Sequence, residues 1–222
     1  MTEQAAEVDQ LRASDGRVPG RRGRATRQRL LDCTAEMLRT TSYRAIKVID
    51  IAREAGTSPA TFYQYFADVE AAILVLAEEM AADGERLVQL VREGTWRGKA
   101  GYRTALALTD AFLEFWDEHR PVLRVVDLAT DEGDHRFRNI RVKVLNAVVR
   151  ELAAVIARFQ EEGRNTGVEP MAQAGTLVAT LASVAAHHAG FEYWGFRTDD
   201  VRVSVARTVY WGTTGQRPPA DG

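Results

Sequence analysis

A chain of 222 residues, 45% hydrophobic and 27% charged, is long enough for a packed core and has the make-up of an ordinary globular protein, neither fibrous nor disordered. Its net charge of −2 excludes a uniformly basic polyanion binder, but the charge is uneven: residues 1–66 carry 11 Lys+Arg against 8 Asp+Glu, and the remainder is net −5. A single cysteine, Cys33, excludes an internal disulfide and points to a reducing compartment, the cytoplasm.

The N-terminus, MTEQAAEVDQ, has acids and no apolar core, unlike a secretory signal. Residues 1–23 lack periodicity and read as a flexible basic arm. Arg12, Arg17, Arg21, Arg22, Arg24, Arg27 and Arg29 meet only one acid in their interval, Asp15. From Thr26, apolar residues at three- and four-residue spacing (Leu30, Cys33/Thr34, Met37, Leu38) predict a helix that fades at Thr40–Ser42. Val48, Ile51, Ala52 and Ala55 predict a short second helix, and Gly56 follows it where a left-handed turn costs glycine least. Ser58 reads as the N-cap of a third helix with Pro59 at its first position. Two short helices joined by a turn containing glycine form the helix-turn-helix pattern.

Asp68 reads as the next cap, opening one long helix through Ile73, Leu76, Met80, Leu87 and Val91 to Gly94. A helix from Lys99–Gly101 carries Leu106, Phe112 and Trp116 and stops at DEHRP; Pro121 begins a short apolar helix, and TDEGDH is a loop. Phe137 to Phe159 traces another long helix, ending at Gly163. Pro170 to Phe191 contains no charged residue, but its threonines, Gln173, His187 and His188 suit a helix buried between protein surfaces better than a membrane span. Asp199 or Asp200 caps the last segment, VRVSVARTVYW, whose alternating valines suit a strand as well as a helix; a lone strand would lack a partner, so helix is expected. The chain is all-α, with about nine helices.

On a wheel at 100° per residue, Phe62 and Phe66 fall on one stripe of the third helix, facing Val48, Ile51 and Ala55. Ala60 and Gln64 fall opposite, Thr61 lies beside them, and Tyr63 and Tyr65 border that face. An outward surface that is small, uncharged and hydrogen-bonding suits duplex DNA. Hydroxyls can donate to phosphate, glutamine can pair bidentately with adenine, and a methyl group can meet thymine.

The stretch RQRLLDCTAEMLRTTSYRAIKVIDIAREAGTSPATFYQYFADVEAAI resembles the DNA-binding domain of the tetracycline-repressor family of bacterial transcriptional regulators. The resemblance lies in the IA…AG turn, the TFYQYF helix and the DVEAAI start of the fourth helix. It implies a homodimer on a palindromic operator, with a helix-turn-helix domain over 24–67 and a ligand-binding and dimerisation domain over 68–222. By position, Pro59, Ala60, Thr61 and Gln64 would face bases. Ser58, Tyr63 and Tyr65 would sit on phosphate, with Lys47 and the arginines of the Arg21–Arg29 run, including Arg24, also on the backbone. Three departures stand out: Lys47 replaces a usual hydroxyl cap, Ile49 a common basic or polar residue, and Val69 a frequent lysine.

An apolar effector pocket is expected from aromatics at helical spacing, namely Phe112, Trp116, Phe137 and Phe191, with one or two hydrogen bonds from His188 or Asn146. Adjacent histidines point about 100° apart on a helix, so His187–His188 suggests no metal, and no cofactor is called for. Ala172, Gly175, Ala179, Ala182/Ser183, Ala186 and Gly190 form a small-residue stripe next to a larger one of Leu177, Leu181, Val184, His188 and Phe191. Together with the last helix these make the expected dimer surface. The sequence therefore reads as a repressor released by a small hydrophobic effector. The alternatives are an activator or an effector-independent regulator and, remotely, an all-α enzyme, for which no nucleophile–base pair or phosphate-cradling loop is evident.

Overall fold

The computed structural model describes residues 20–219, so Arg12, Arg17 and most of the expected basic arm lie outside the described residues. Among those described, all regular structure is helical: α1 (Arg21–Thr40), a 3-10 turn (Tyr43–Ala45), α2 (Val48–Glu54), α3 (Pro59–Tyr65), α4 (Val69–Asp83), α5 (Glu85–Glu93), α6 (Gly98–Asp131), α7 (His135–Glu161), α8 (Pro170–Tyr193) and α9 (Thr198–Thr214). They divide into two compact units, 20–80 with 121–140, and 81–120 with 141–219.

In the first unit, α1 buries Leu30, Leu31, Thr34 and Leu38. Thr34 is tolerated because its hydroxyl donates to the Leu30 carbonyl at 2.7 Å. Helix α1 begins five residues earlier than its apolar period suggests, so Arg21 and Arg22 are in its first turn rather than in an arm. Arg27 departs further from expectation: it is buried, with its guanidinium 5.3 Å from the centre of the Phe66 ring. Cys33 is partly buried, and desolvation, reinforced by Glu54 and Asp32, raises its thiol pKa, keeping it protonated.

Three further helix boundaries differ from the sequence reading. The expected single helix from Asp68 to Gly94 is interrupted at Gly84, the poorest helix former in that run. Pro121 does not end a helix; α6 runs through it for 34 residues. Proline removes one backbone bond, and the buried Val122, Leu123, Val125, Val126 and Ala129 that follow supply the packing that offsets the loss. The last helix is preceded by Arg197, and Asp199 and Asp200 occupy its first turn, where they favour the positive end of the helix dipole without capping it.

In the second unit α8 packs on α9. Their close approach requires Gly212, since a Cβ there would come within 2.8 Å of a Leu177 methyl. Helix α8 starts at Pro170, and the Glu169 carboxylate accepts from Met171 N at 3.0 Å and Ala172 N at 2.6 Å. No helix among the described residues is long and apolar enough to cross a membrane.

Candidate nucleic-acid interface

The turn between α2 and α3 is fixed at both ends. Gly56 is left-handed at φ 65°, a conformation that costs a side-chain-bearing residue far more, and Thr57 N donates to Ala52 O at 2.8 Å to close the end of α2. Ser58 then caps α3: its hydroxyl accepts from Thr61 N at 3.2 Å and lies 3.0 Å from the Thr61 hydroxyl. Pro59 follows as the first helical residue, where its missing N–H costs nothing.

Phe62 and Phe66 anchor α3 from beneath, both buried, with ring centres 5.4 Å apart. Arg27 of α1 lies over the Phe66 ring, and burial lowers its pKa while Glu79 pulls it up. With that stripe held inward, Pro59, Ala60 and Gln64 are exposed and Tyr63 is 52% exposed, while Thr61 and Tyr65 are half-buried at the margins. Arg24 and Lys47 are exposed; Lys47 occupies the N-cap position of α2 and makes no side-chain cap bond there. Asp68 caps α4 by accepting from Ala71 N at 2.7 Å.

In the same unit, Arg136 bonds Glu70 at 3.0 Å and Asp134 at 2.7 Å, and Arg44 pairs with Glu132. The Arg136 bonds hold the Asp134 carboxyl down to about 2. The segment between α6 and α7 is thereby tied to the 3-10 turn and to the head of α4. No pattern in the sequence marks these pairs, because surface charges at long separation carry no periodic signal.

The expected effector residues are scattered. Phe112 and Trp116 stack on α6, with ring centres 5.7 Å apart and an interplanar angle of 13°, and Phe115 meets Trp116 edge-on. The Trp116 Nε1 is buried and has no acceptor among the described residues. His188 of α8 lies near the same helix: its Nε2 is 3.4 Å from Asp117, and its Nδ1 is 2.9 Å from the Ala185 carbonyl. Phe191 is half-buried against Trp194 and Phe196. Asn146 faces outward on α7, and Phe137 is buried in the unit that contains α1–α3. A groove of about 670 Å³ between α5 and α6 is lined by Leu90, Ala107, Ala111, Arg86 and Arg103, and by none of the six residues expected from sequence. No group of three metal-ligating side chains occurs among the described residues.

Leu177 and Leu181, expected to face a second subunit, are consumed by the chain's own core. The stripe left exposed on α8 is smaller and more polar: Ala172, Thr176, Ala179, Ser183 and His187.

A family model described as "Bacterial regulatory proteins, tetR family" matches residues 30–71, and one described as "Tetracyclin repressor-like, C-terminal domain" matches residues 87–220. A Haemophilus influenzae protein named "Uncharacterized HTH-type transcriptional regulator" is 29% identical over 133 residues, which cover 60% of this chain and 63% of that relative. A structure of FadR from Bacillus subtilis in complex with stearoyl-CoA aligns with a TM-score of 0.62 at 15% identity, covering 83% of this chain and 98% of that one. A Rhodococcus sp. RHA1 protein of unknown function aligns with a TM-score of 0.65 at 22% identity, covering 85% and 95%. At such identities the likeness of the solved structures is one of fold.

Proposed function

Since the chain belongs to the tetracycline-repressor family of bacterial regulatory proteins and carries that family's DNA-binding N-terminal domain, we propose that it is a cytoplasmic homodimeric repressor, released from a palindromic operator by a small, largely hydrophobic effector. The observation that carries this reading is the outward face of α3. Buried Phe62 and Phe66, the Ser58 cap and the Gly56 turn leave Pro59, Ala60, Tyr63 and Gln64 facing solvent on a rigid platform. Bases are read by Thr61 and Gln64, with Pro59 and Ala60 allowing close approach. Ser58, Tyr63, Tyr65, Lys47 and Arg24 position the head on phosphate. Since Ser58 and Thr61 already share a hydrogen bond, Ser58 contributes most by orienting the helix.

An effector acts by binding better to the conformer whose two α3 helices are wrongly spaced for successive major grooves, about 34–36 Å apart. The unaccepted indole N–H of Trp116, beside the Phe112 and Phe115 rings, supports an apolar ligand bearing one acceptor, because a buried donor without a partner is costly. The stearoyl-CoA complex of the FadR neighbour makes long-chain acyl thioesters the first probes to try. The buried, mutually stacked aromatics also suit a filled core, and thus an effector-independent regulator.

The deciding experiment is selection of duplexes from random-sequence DNA by the full-length chain, followed by measured affinities of variants. Gln64→Ala is expected to lower affinity for the selected duplex about tenfold and to widen the permitted bases at one symmetric position, leaving binding to bulk DNA unchanged. Equal loss on all sequences would remove Gln64 from base reading. Failure to enrich any sequence would remove the operator. Acyl thioesters that leave the complex intact at saturating concentration would favour effector-independent binding.

A further inference from the structure

Ile49, the second residue of α2, is 57% exposed, while Ile51 is wholly buried. A β-branched residue this exposed buries little and slightly weakens a helix only seven residues long. Isolated exposed apolar side chains are common on protein surfaces, so its neighbours decide what this one does. At 100° per residue the buried stripe of Ile51, Ala52 and Ala55 leaves α2 two flanks. One presents Asp50 and Glu54; the other presents Ile49 and, one turn on, Arg53. A polyanion is repelled by the first flank and admitted by the second, and Lys47 stands exposed at the same end of the helix. Arg53, now 2.8 Å from Asp50, is the charge a phosphate would compete for.

An arginine or lysine at position 49 would offer donors to guanine or phosphate. Isoleucine offers none, and the base-edge feature an aliphatic group can recognise is the C5 methyl of thymine. We infer that Ile49 is a specificity-determining residue that contacts one thymine methyl in each half-site, which makes the α2 flank a second reading surface beside α3. This rests on the operator-binding reading above.

The test takes the highest-affinity duplex selected by the full-length chain and replaces its thymines, one symmetric pair at a time, with deoxyuridine, which removes only the methyl. Wild-type protein is expected to lose about fourfold per methyl, roughly fifteenfold for the pair, at one pair of positions, in line with one buried methyl-sized group. Ile49→Ala should bind the thymine and uracil forms within about twofold at that pair, and Ile49→Val should retain most of the discrimination. Circular dichroism of both variants should match wild type, since the side chain is mostly exposed. The inference is overturned if wild type tolerates every uracil, or if Ile49→Ala keeps wild-type sensitivity at every position. If wild type enriches no duplex, the operator reading and this inference fall together.

Discussion

His119 on α6 is pulled in two directions. Its ring is partly buried and rests 4.7 Å from the Phe115 ring, and its Nε2 lies 3.3 Å from the Asp83 carboxylate but makes no hydrogen bond to it. Burial lowers its pKa, Asp83 and Glu118 pull it up, Arg86 pushes it down, and the lowering prevails. A base whose folded pKa lies below its unfolded value binds more protons when unfolded. Its neutral form therefore stabilises the fold above the ordinary histidine pKa of about 6.5, and that contribution is lost as pH falls through the window beneath it. Thermal stability is expected to decline as pH falls below about 6.5, and to decline less in His119→Gln, which stays neutral. Parallel melting profiles for the two proteins would show that His119 does not set this slope. The sequence offered no sign of this role. The position of Gln64 opposite Phe62 and Phe66 was legible, because buried phenylalanines four residues apart orient a short helix; the burial of Arg27 was not, because an arginine among six others reads as surface until Phe66 is seen to pack beneath it.

At the scale of elements, the expected number of helices and the number among the described residues agree through two compensating differences, an unforeseen break at Gly84 and an unforeseen continuation through Pro121. Both have one cause. Local signals set boundaries when packing is indifferent, and packing overrides them when a long apolar face continues on either side. Where cap and turn chemistry are decisive, at Gly56, Ser58 and Asp68, the sequence was sufficient. Pro121 also falls where one compact unit gives way to the other. Replacing it with alanine restores a donor to the Asp117 carbonyl and removes the ring's clash with the preceding turn, at a small cost from a freer unfolded chain. Pro121→Ala is expected to stabilise the protein by about 2 kcal/mol, read as a higher urea midpoint at unchanged slope. A lower midpoint would mean that the proline ring's packing beside Leu38 and Val125 outweighs the backbone bond it forfeits.

For the whole molecule the open surfaces of α8 and α9 carry the weight. With Leu177 and Leu181 turned inward, α8 shows solvent a row of small side chains, Ala172, Thr176, Ala179 and Ser183, while α9 shows Val203 and a 63% exposed Trp211. Small residues permit close helix approach, and an exposed tryptophan one turn from other exposed positions suits the centre of an interface. If these two helices form the contact between the subunits of the proposed homodimer, a carboxylate at Ala179 would be buried without a partner, which costs several kcal/mol. The residue is exposed within the chain, so the fold itself should tolerate the change. Ala179→Glu is therefore expected to keep its helical spectrum and its melting temperature within a few degrees, and to sediment as a monomer at micromolar concentration. It should also bind the selected duplex at least a hundredfold more weakly, because two half-sites are then no longer engaged by one body. A variant that remains dimeric with full affinity would move the subunit contact off this face of α8.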